Sequence, residues 1–338
     1  MIYVYPTIDT EGVHGDKPFE QFILGEVGEK EDWGTFRLAR IFKEFAVSAT
    51  FFVDCYEYTY WGESKMEKLC QDLIRHNQDV QLHTHPSWRD DPRDFKWLRE
   101  MKKVKSYMPQ QYDMMSKLSL EQQIEVLEHG KELLEKWIGE TPVAHRSGGY
   151  SINMDTVKAL KKTGIKIDSS MNVSHSNSKI TWSSNSVVEK EGVLEIPVTV
   201  FNRCFGILGK PLYRKLMKTD IDDCSVDDLL KYVEYAEKKG LKFLNLFFHS
   251  YSLLNFNADF TKITADSIDD QKLRELLRRL KENPNVEFVN SKDILQKYNE
   301  NHEVFSSQDS IPDILSNSEV IRLAKAKVKR NFFGVMRN

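Results

Sequence analysis

The sequence predicts an α/β protein built from parallel βαβ units, either a barrel or an open sheet, and three observations carry that prediction. Strand-like and helix-like segments alternate at least six times along the 338 residues. Several of the strand segments are continuous apolar runs such as Phe243-Leu244-Asn245-Leu246-Phe247-Phe248, the composition of strands covered on both faces. Ionisable residues collect at the C-terminal ends of those strands, the rim on which parallel α/β folds place their chemistry.

The elements follow in order. Ile2-Tyr3-Val4-Tyr5 opens a strand that runs into Asp9 and Glu11, and a loop rich in Gly and Glu follows over about 12–32. Phe36, Leu38, Ala39, Ile41, Phe42 and Phe45 recur at helical spacing over 35–45. Ala49-Thr50-Phe51-Phe52-Val53-Asp54 is β-branched and aromatic, hence a buried strand. A helix over about 64–76 leads into a strand at Asp79-Val80-Gln81-Leu82-His83. Residues 87–118 are dense in charge, Pro, Trp and Met and read as an insertion. Ser119 and Gln122 form a capping box for a helix that Gly139 and Pro142 stop. A short strand ends at His145-Arg146, a helix over 154–163 ends at Gly164, and Ile165-Lys166-Ile167-Asp168 is a strand again.

The texture changes over about 170–210, where Ser and Asn are frequent and Gly192 to Val200 reads as an added hairpin. Ser225 starts a helix closed at Gly240, the run to His249 is a buried strand, 269–281 is helical, and Val286-Glu287-Phe288-Val289 is the last strand. No internal repeat is visible. One domain over 1–298 is therefore expected, with insertions at about 87–118 and 170–210, followed by a basic tail over 299–338. Residues 322–338 hold six Lys or Arg and no acid, with Ile321, Leu323, Val328, Phe332 and Phe333 interleaved. That pattern reads as an amphipathic helix for an anionic membrane surface or a partner, or as a helix packed on the domain with a solvated basic face.

The bulk composition narrows the function. Charged residues are 29% and hydrophobic residues 40%, as in ordinary globular proteins, and a net charge of −3 gives no footprint for nucleic acid. No apolar stretch approaches the roughly 18 residues of a membrane span, and the chain enters a strand with no leader-like segment, so a cytoplasmic location is expected. Cys55, Cys70, Cys204 and Cys224 show no C-x-x-C pairing and read as small buried apolar residues in reduced form.

The chemistry-bearing groups are Asp9 and Glu11, His83 and His85, His145 and Arg146, Asp168, and His249, each at a strand end. Positions i and i+2 of a strand share a face, so His83 and His85 can reach one ion, and Asp9 and Glu11 can face one pocket. Two imidazoles and a carboxylate are the donor set of a catalytic zinc-type centre, which keeps a coordination position open, and a spare carboxylate can act as base. The bland alternative is that Asp9 and Glu11 cap a loop or pair with Arg146. Desolvating so many charges on one rim, however, costs several kcal/mol each unless they pair or bind metal.

Six segments occur in a telling order: Thr7-Ile8-Asp9-Thr10-Glu11-Gly12, Ala49-Thr50-Phe51-Phe52-Val53, Leu82-His83-Thr84-His85-Pro86, His145-Arg146-Ser147-Gly148-Gly149-Tyr150, Gly164-Ile165-Lys166-Ile167-Asp168-Ser169-Ser170 and Phe247-Phe248-His249-Ser250. Over about residues 1–295 the chain resembles the polysaccharide deacetylase family (carbohydrate esterase family 4, NodB-like). The resemblance implies a distorted (β/α) barrel, here with insertions and a C-terminal helical tail, and one divalent ion, zinc first and cobalt, nickel or iron otherwise. It implies hydrolysis of an N-acetyl or O-acetyl group on a sugar, with Asp9 as base, Glu11, His83 and His85 as metal ligands, Arg146 paired with the base and His249 as acid. Asp168 falls near a fourth motif in which an Asp orients the acid histidine. The chain departs from the family pattern twice. Glu11 stands where Asp is usual, and Ser87 stands where the second histidine usually falls, which leaves His85 as the second imidazole.

The expected substrate is an acetylated sugar or glycan in surface-glycan biosynthesis, nucleotide-linked, lipid-linked or free if the protein is intracellular. Two other readings are a non-catalytic glycan-binding member of the fold and an amidohydrolase acting on a non-sugar acyl amide. Trp88, Phe95, Trp97, Tyr107, Tyr112 and Trp182 are candidates to stack on sugar rings.

Overall fold

The computed structural model describes residues 1–12, 21–28, 31–89, 113–207, 210–256 and 262–316. Its centre is a nine-stranded sheet. Its strands in chain order are β1 (Ile2–Thr10), β2 (Thr50–Asp54), β3 (Asp79–Thr84), β4 (Ala144–Ser147), β5 (Ile167–Asp168), β6 (Val188–Lys190), β7 (Val193–Glu195), β8 (Phe243–His249) and β9 (Val286–Phe288). The spatial order is β8-β1-β2-β3-β4-β5-β7-β6, and β9 also pairs with β1. Every pairing is parallel except β6 with β7.

The sheet curls, and irregular backbone bridges its open side. Val198 N–H donates to the Met171 carbonyl, Thr219 N–H to that of Thr199, and Phe247 N–H to that of Thr219, which links β8 back towards β5. The result is the distorted barrel expected of the sequence. Its closing wall contains a second hairpin, Val200–Ile207 with Lys210–Lys218, that the sequence pattern does not announce. The hairpin expected over Gly192 to Val200 is displaced: its turn lies at Glu191 and Gly192, both at positive φ, and β7 joins the main sheet beside β5.

Two apolar clusters follow strand parity. Ile2, Val4, Ile8, Phe51, Val53, Val80, Leu82, Leu244, Leu246 and Phe248 point outward onto the helices Thr35–Glu44, Glu63–Arg75, Leu120–Ile138, Val226–Lys239 and Ser267–Glu282. Tyr3, Tyr5, Phe52, Ala144, Ile167, Leu194 and Phe243 point into the barrel. Because side chains alternate along a strand, this fixes the inner face at Asp9, Asp54, His83, Arg146 and His249. The helices begin and end where their caps dictate: Ser119, Asn153, Ser225 and Asn290 each form a capping box, and Gly139 and Gly164 close their helices in left-handed backbone.

Residues at the head of the expected tail pack on the barrel. Phe305 sits edge-on to Tyr3, with ring centroids 5.1 Å apart, and Asp313–Leu315 pairs parallel with Val200–Ile207. The basic segment 317–338 and residues 90–112 of the expected insertion lie outside the described residues, and with them Phe95, Trp97, Tyr107 and Tyr112. Trp182 packs against the outer core. All four cysteines are free and buried. Among the described residues, no helix is long and apolar enough to cross a membrane.

Candidate metal and catalytic centre

The rim of the barrel gathers Asp9, Glu11, His83, His85, Arg146 and His249. Ligand atoms of Glu11, His83 and His85 all lie within 4.8 Å of one another. Glu11 Oε2 is 2.9 Å from His83 Nε2 and 2.5 Å from His85 Nε2. Each imidazole is clamped at its other nitrogen. His83 Nδ1 donates to the Arg146 carbonyl at 2.8 Å, and His85 Nδ1 donates to Asp113 Oδ2 at 2.6 Å. Since those partners can only accept, Nδ1 of each ring carries a proton, and it is Nε2 that faces Glu11.

Glu11 is just past the end of β1, and its backbone is fixed on both sides. Ser250 Oγ donates to its carbonyl at 3.1 Å, and the N–H of Gly12 donates to Glu57 Oε1 at 2.5 Å. Glu57 also accepts from Trp61 Nε1 at 2.6 Å. The His85 ring has a different support: it lies against Gly148, where a Cβ would come within 2.4 Å of His85 Cε1 and Nε2. Only glycine fits there.

Asp9 is held by Arg146, which is fully buried beneath it. Its Nη1 donates to Asp9 Oδ1 and to Thr7 Oγ1, both at 2.9 Å, while Nε and Nη2 reach the Ser169 carbonyl and hydroxyl. Phe52 and Phe247 flank the guanidinium. His249 faces Asp9 directly in the β1–β8 register. It stacks on Tyr251 at 4.7 Å, and its Nε2 is 3.9 Å from Glu11 Oε1. Among the described residues, its buried Nδ1 has no hydrogen-bond partner.

The electrostatics follow from this crowding. Burial would raise Glu11, but His85 beside it and hydrogen bonds from both histidines outweigh that and hold it well below the usual carboxylate range. Burial would likewise lower His85, yet Asp113 and Glu11 outweigh it and hold the imidazole well above its ordinary value. Burial and the Lys218 ammonium push His249 down, so in the chain alone it is neutral at neutral pH, not protonated as an acid catalyst at rest would be. Burial pushes Asp54 well up and Glu57 up to about 7, which keeps extra negative charge out of the cluster.

Asp168 does not join this group. Strand parity turns it outward with His145, which donates from Nδ1 to Asp168 Oδ1 at 2.7 Å and contacts Thr84 Oγ1 through Nε2. Ser170 donates to the same Asp168 oxygen, and burial with the neighbouring Asp168 holds the Glu195 carboxyl well above its usual range. The carboxylates near His249 are instead Asp220 and Asp222, whose oxygens come within 4.8 Å of an imidazole nitrogen. Lys218 reaches Asp220 at 2.8 Å and the Tyr150 hydroxyl at 2.9 Å, and its Nζ lies 3.8 Å above the Phe247 ring. Sequence reasoning missed Asp54, Glu57, Asp113, Tyr150, Lys218, Asp220 and Asp222. Only Asp220-Ile221-Asp222 carried a signal, the same i, i+2 carboxylate spacing as Asp9 and Glu11.

Residues 31–167 match the sequence model of the polysaccharide deacetylases. Over that stretch, about two-fifths of its length, the chain is similar to the polysaccharide deacetylases. No curated protein sequence gives a significant match. Among solved structures, a Mycobacterium smegmatis protein assigned as a polysaccharide deacetylase is 15% identical, with 93% of this chain and 95% of that one covered and a TM-score of 0.54. A Pseudomonas aeruginosa protein with the same assignment is 12% identical, with 89% and 92% covered and a TM-score of 0.54. An allantoinase is 12% identical, with 89% and 91% covered and a TM-score of 0.53. At these identities the three likenesses concern the fold.

The donor set of this chain fits a divalent ion. Two Nε2 atoms and one carboxylate converge, and both imidazoles are oriented from behind, as histidine ligands of zinc are.

Proposed function

We propose that the protein is a metal-dependent hydrolase that removes an acetyl group from an N- or O-acetylated sugar. The observation that carries this reading is the convergence of Glu11, His83 and His85 beside the Arg146-held carboxylate of Asp9. Zinc is the ion that the nitrogen and oxygen donors suit best. A divalent ion bound there would polarise the acyl carbonyl and make water a stronger nucleophile near neutral pH.

The chain's own residues supply the proton handling. Arg146 occupies one oxygen of Asp9 and so aims the carboxylate, and the other oxygen takes the proton of the attacking water. The neutral resting state of His249 means that it acquires its proton within the substrate complex before passing it to the leaving nitrogen or oxygen. Glu11, Asp220 and Asp9 favour that charged form against burial and Lys218. Tyr150, at φ 59° in the left-handed region, sits at the turn after β4 with its ring centroid 5.9 Å from that of Phe247.

The test joins metal content with product release. The purified chain is assayed for bound zinc, cobalt, nickel and iron, and for acetate release from acetylated amino sugars, O-acetyl sugars and non-sugar acyl amides. About one ion per chain and acetate from the sugars, both lost in a His83→Ala/His85→Ala variant, are expected. No ion after reconstitution, with glycan binding that survives Asp9→Asn, would replace this reading with a non-catalytic glycan-binding role. Turnover confined to non-sugar amides would replace the substrate class.

A further inference from the structure

His85 is an unlikely ligand by its place in the chain. β3 ends at Thr84, so His85 lies beyond the ladder that fixes His83, in the single residue between the strand and the short helix Pro86–Arg89. A side chain there has no sheet neighbours to select its rotamer, and holding it costs entropy unless other contacts do so. Three contacts do. Asp113 Oδ2 accepts from Nδ1 at 2.6 Å, the Ser87 hydroxyl donates to the other Asp113 oxygen, and Gly148 presents bare backbone to the ring. Asp113 is 28 residues further along the chain and is not one of the three residues whose ligand atoms converge.

We propose that Asp113 is the positioning residue that makes His85 the second imidazole of the centre and sets the affinity of that centre for a divalent cation. The proposal rests on the metal reading above. The two imidazoles are supported unequally. His83 gives its Nδ1 proton to a backbone carbonyl, whereas His85 gives its own to a carboxylate. A hydrogen bond to a charged acceptor is shorter and roughly twice as strong as a neutral one, and it makes the far nitrogen a better donor. Ser87 stands where the family's second histidine usually falls, and here it anchors the group that orients its replacement. The imidazole thus lies two residues nearer the strand than that position, and a carboxylate from beyond residues 90–112 holds it.

The experiment measures zinc affinity of the metal-stripped full chain by competition with a chromogenic chelator, with folding checked by far-UV circular dichroism. Asp113→Ala should weaken zinc binding by about 10–100-fold, the span for removing such an outer partner. Asp113→Asn should weaken it less, because the amide oxygen still accepts the Nδ1 proton, and Ser87→Ala should shift it in the same direction by a few-fold. Nitrogen NMR of the zinc-loaded chain should show a strongly hydrogen-bonded His85 Nδ1–H in the parent and a weakly bonded one in Asp113→Ala, a change that general loosening of the fold would not select. If the parent chain binds zinc, the His83→Ala/His85→Ala variant does not, and Asp113→Ala binds within twofold of the parent, the proposal fails while the metal reading stands. If the parent binds no more zinc than the double variant, the metal reading itself fails. Should Asp113→Ala not fold, Asp113→Asn and Ser87→Ala decide, and both within twofold of the parent overturns the proposal.

Discussion

Replacing Arg146 with methionine keeps an unbranched side chain of similar reach but removes the guanidinium from the middle of the barrel. Arg146 is fully buried and donates to Thr7 Oγ1, Asp9 Oδ1, the Ser169 carbonyl and Ser169 Oγ at 2.8–2.9 Å. Asp9 is only 5% exposed, so without Arg146 its carboxylate loses the cation bonded to it and has little water. Removing one partner of a buried pair costs about 3–5 kcal/mol, chiefly because the other charge is left behind. Replacing both partners removes that charge, so Asp9→Asn/Arg146→Met should be less destabilised than the sum of the single variants by about 1–3 kcal/mol. Urea unfolding in EDTA at pH 7 reads this as a fall in midpoint at nearly constant slope. A loss under about 1 kcal/mol in Arg146→Met, or simple additivity in the double variant, would refute the buried pair as the support of Asp9.

Asp9→Asn and His249→Ala should each lower turnover of an acetylated sugar by about 10²–10⁴, the usual span for a positioned base or acid, and near-parent rates in either would remove that residue from the mechanism. Glu57, raised to about 7 by burial against an ordinary value of 4.5, makes stability depend on pH in the metal-free chain. Below about 4.5 both states carry the proton; between there and about 7 the unfolded chain releases it first, so stability falls as pH rises. Relative to the parent, Glu57→Gln should therefore gain about 2–3 kcal/mol between pH 5 and pH 8, and parallel stability curves would contradict this. His145→Ala breaks an outward-facing bond to Asp168 and should cost about 1–3 kcal/mol of stability. It should leave zinc affinity within a few-fold, and loss of zinc binding in a folded variant would mean that His145 reaches the centre.

The insertion and the closing wall explain most of what the sequence concealed. Residues 170–207 contribute β6, β7 and the first strand of the second hairpin, but their Ser- and Asn-rich texture lacks the period-two pattern of exposed strands. Much of this stretch is buried, and side chains such as Asn185 and Asn245 satisfy its backbone in place of ladder partners. Phe305 fills the lower end of the barrel from a stretch that composition alone assigns to a tail.

The sequence by itself determined the alternation of strand and helix, the capping box at Ser119, the helix start at Ser225, and the residue types gathered at the strand ends, because those signals are local and periodic. It also placed Asp9 with Glu11 and His83 with His85 on shared faces, since a strand repeats every two residues. Only the tertiary structure decided which parity faces inward. The curl of the sheet puts Ala144 and Arg146 inside, and so sends His145 and Asp168 outward to pair with each other. It alone supplied Glu57 behind Gly12, Asp113 behind His85 and the bare backbone of Gly148 beneath that ring, which are 45, 28 and 63 residues from the groups they support. Such contacts follow from where the folded chain returns in space, and no spacing along the sequence records them.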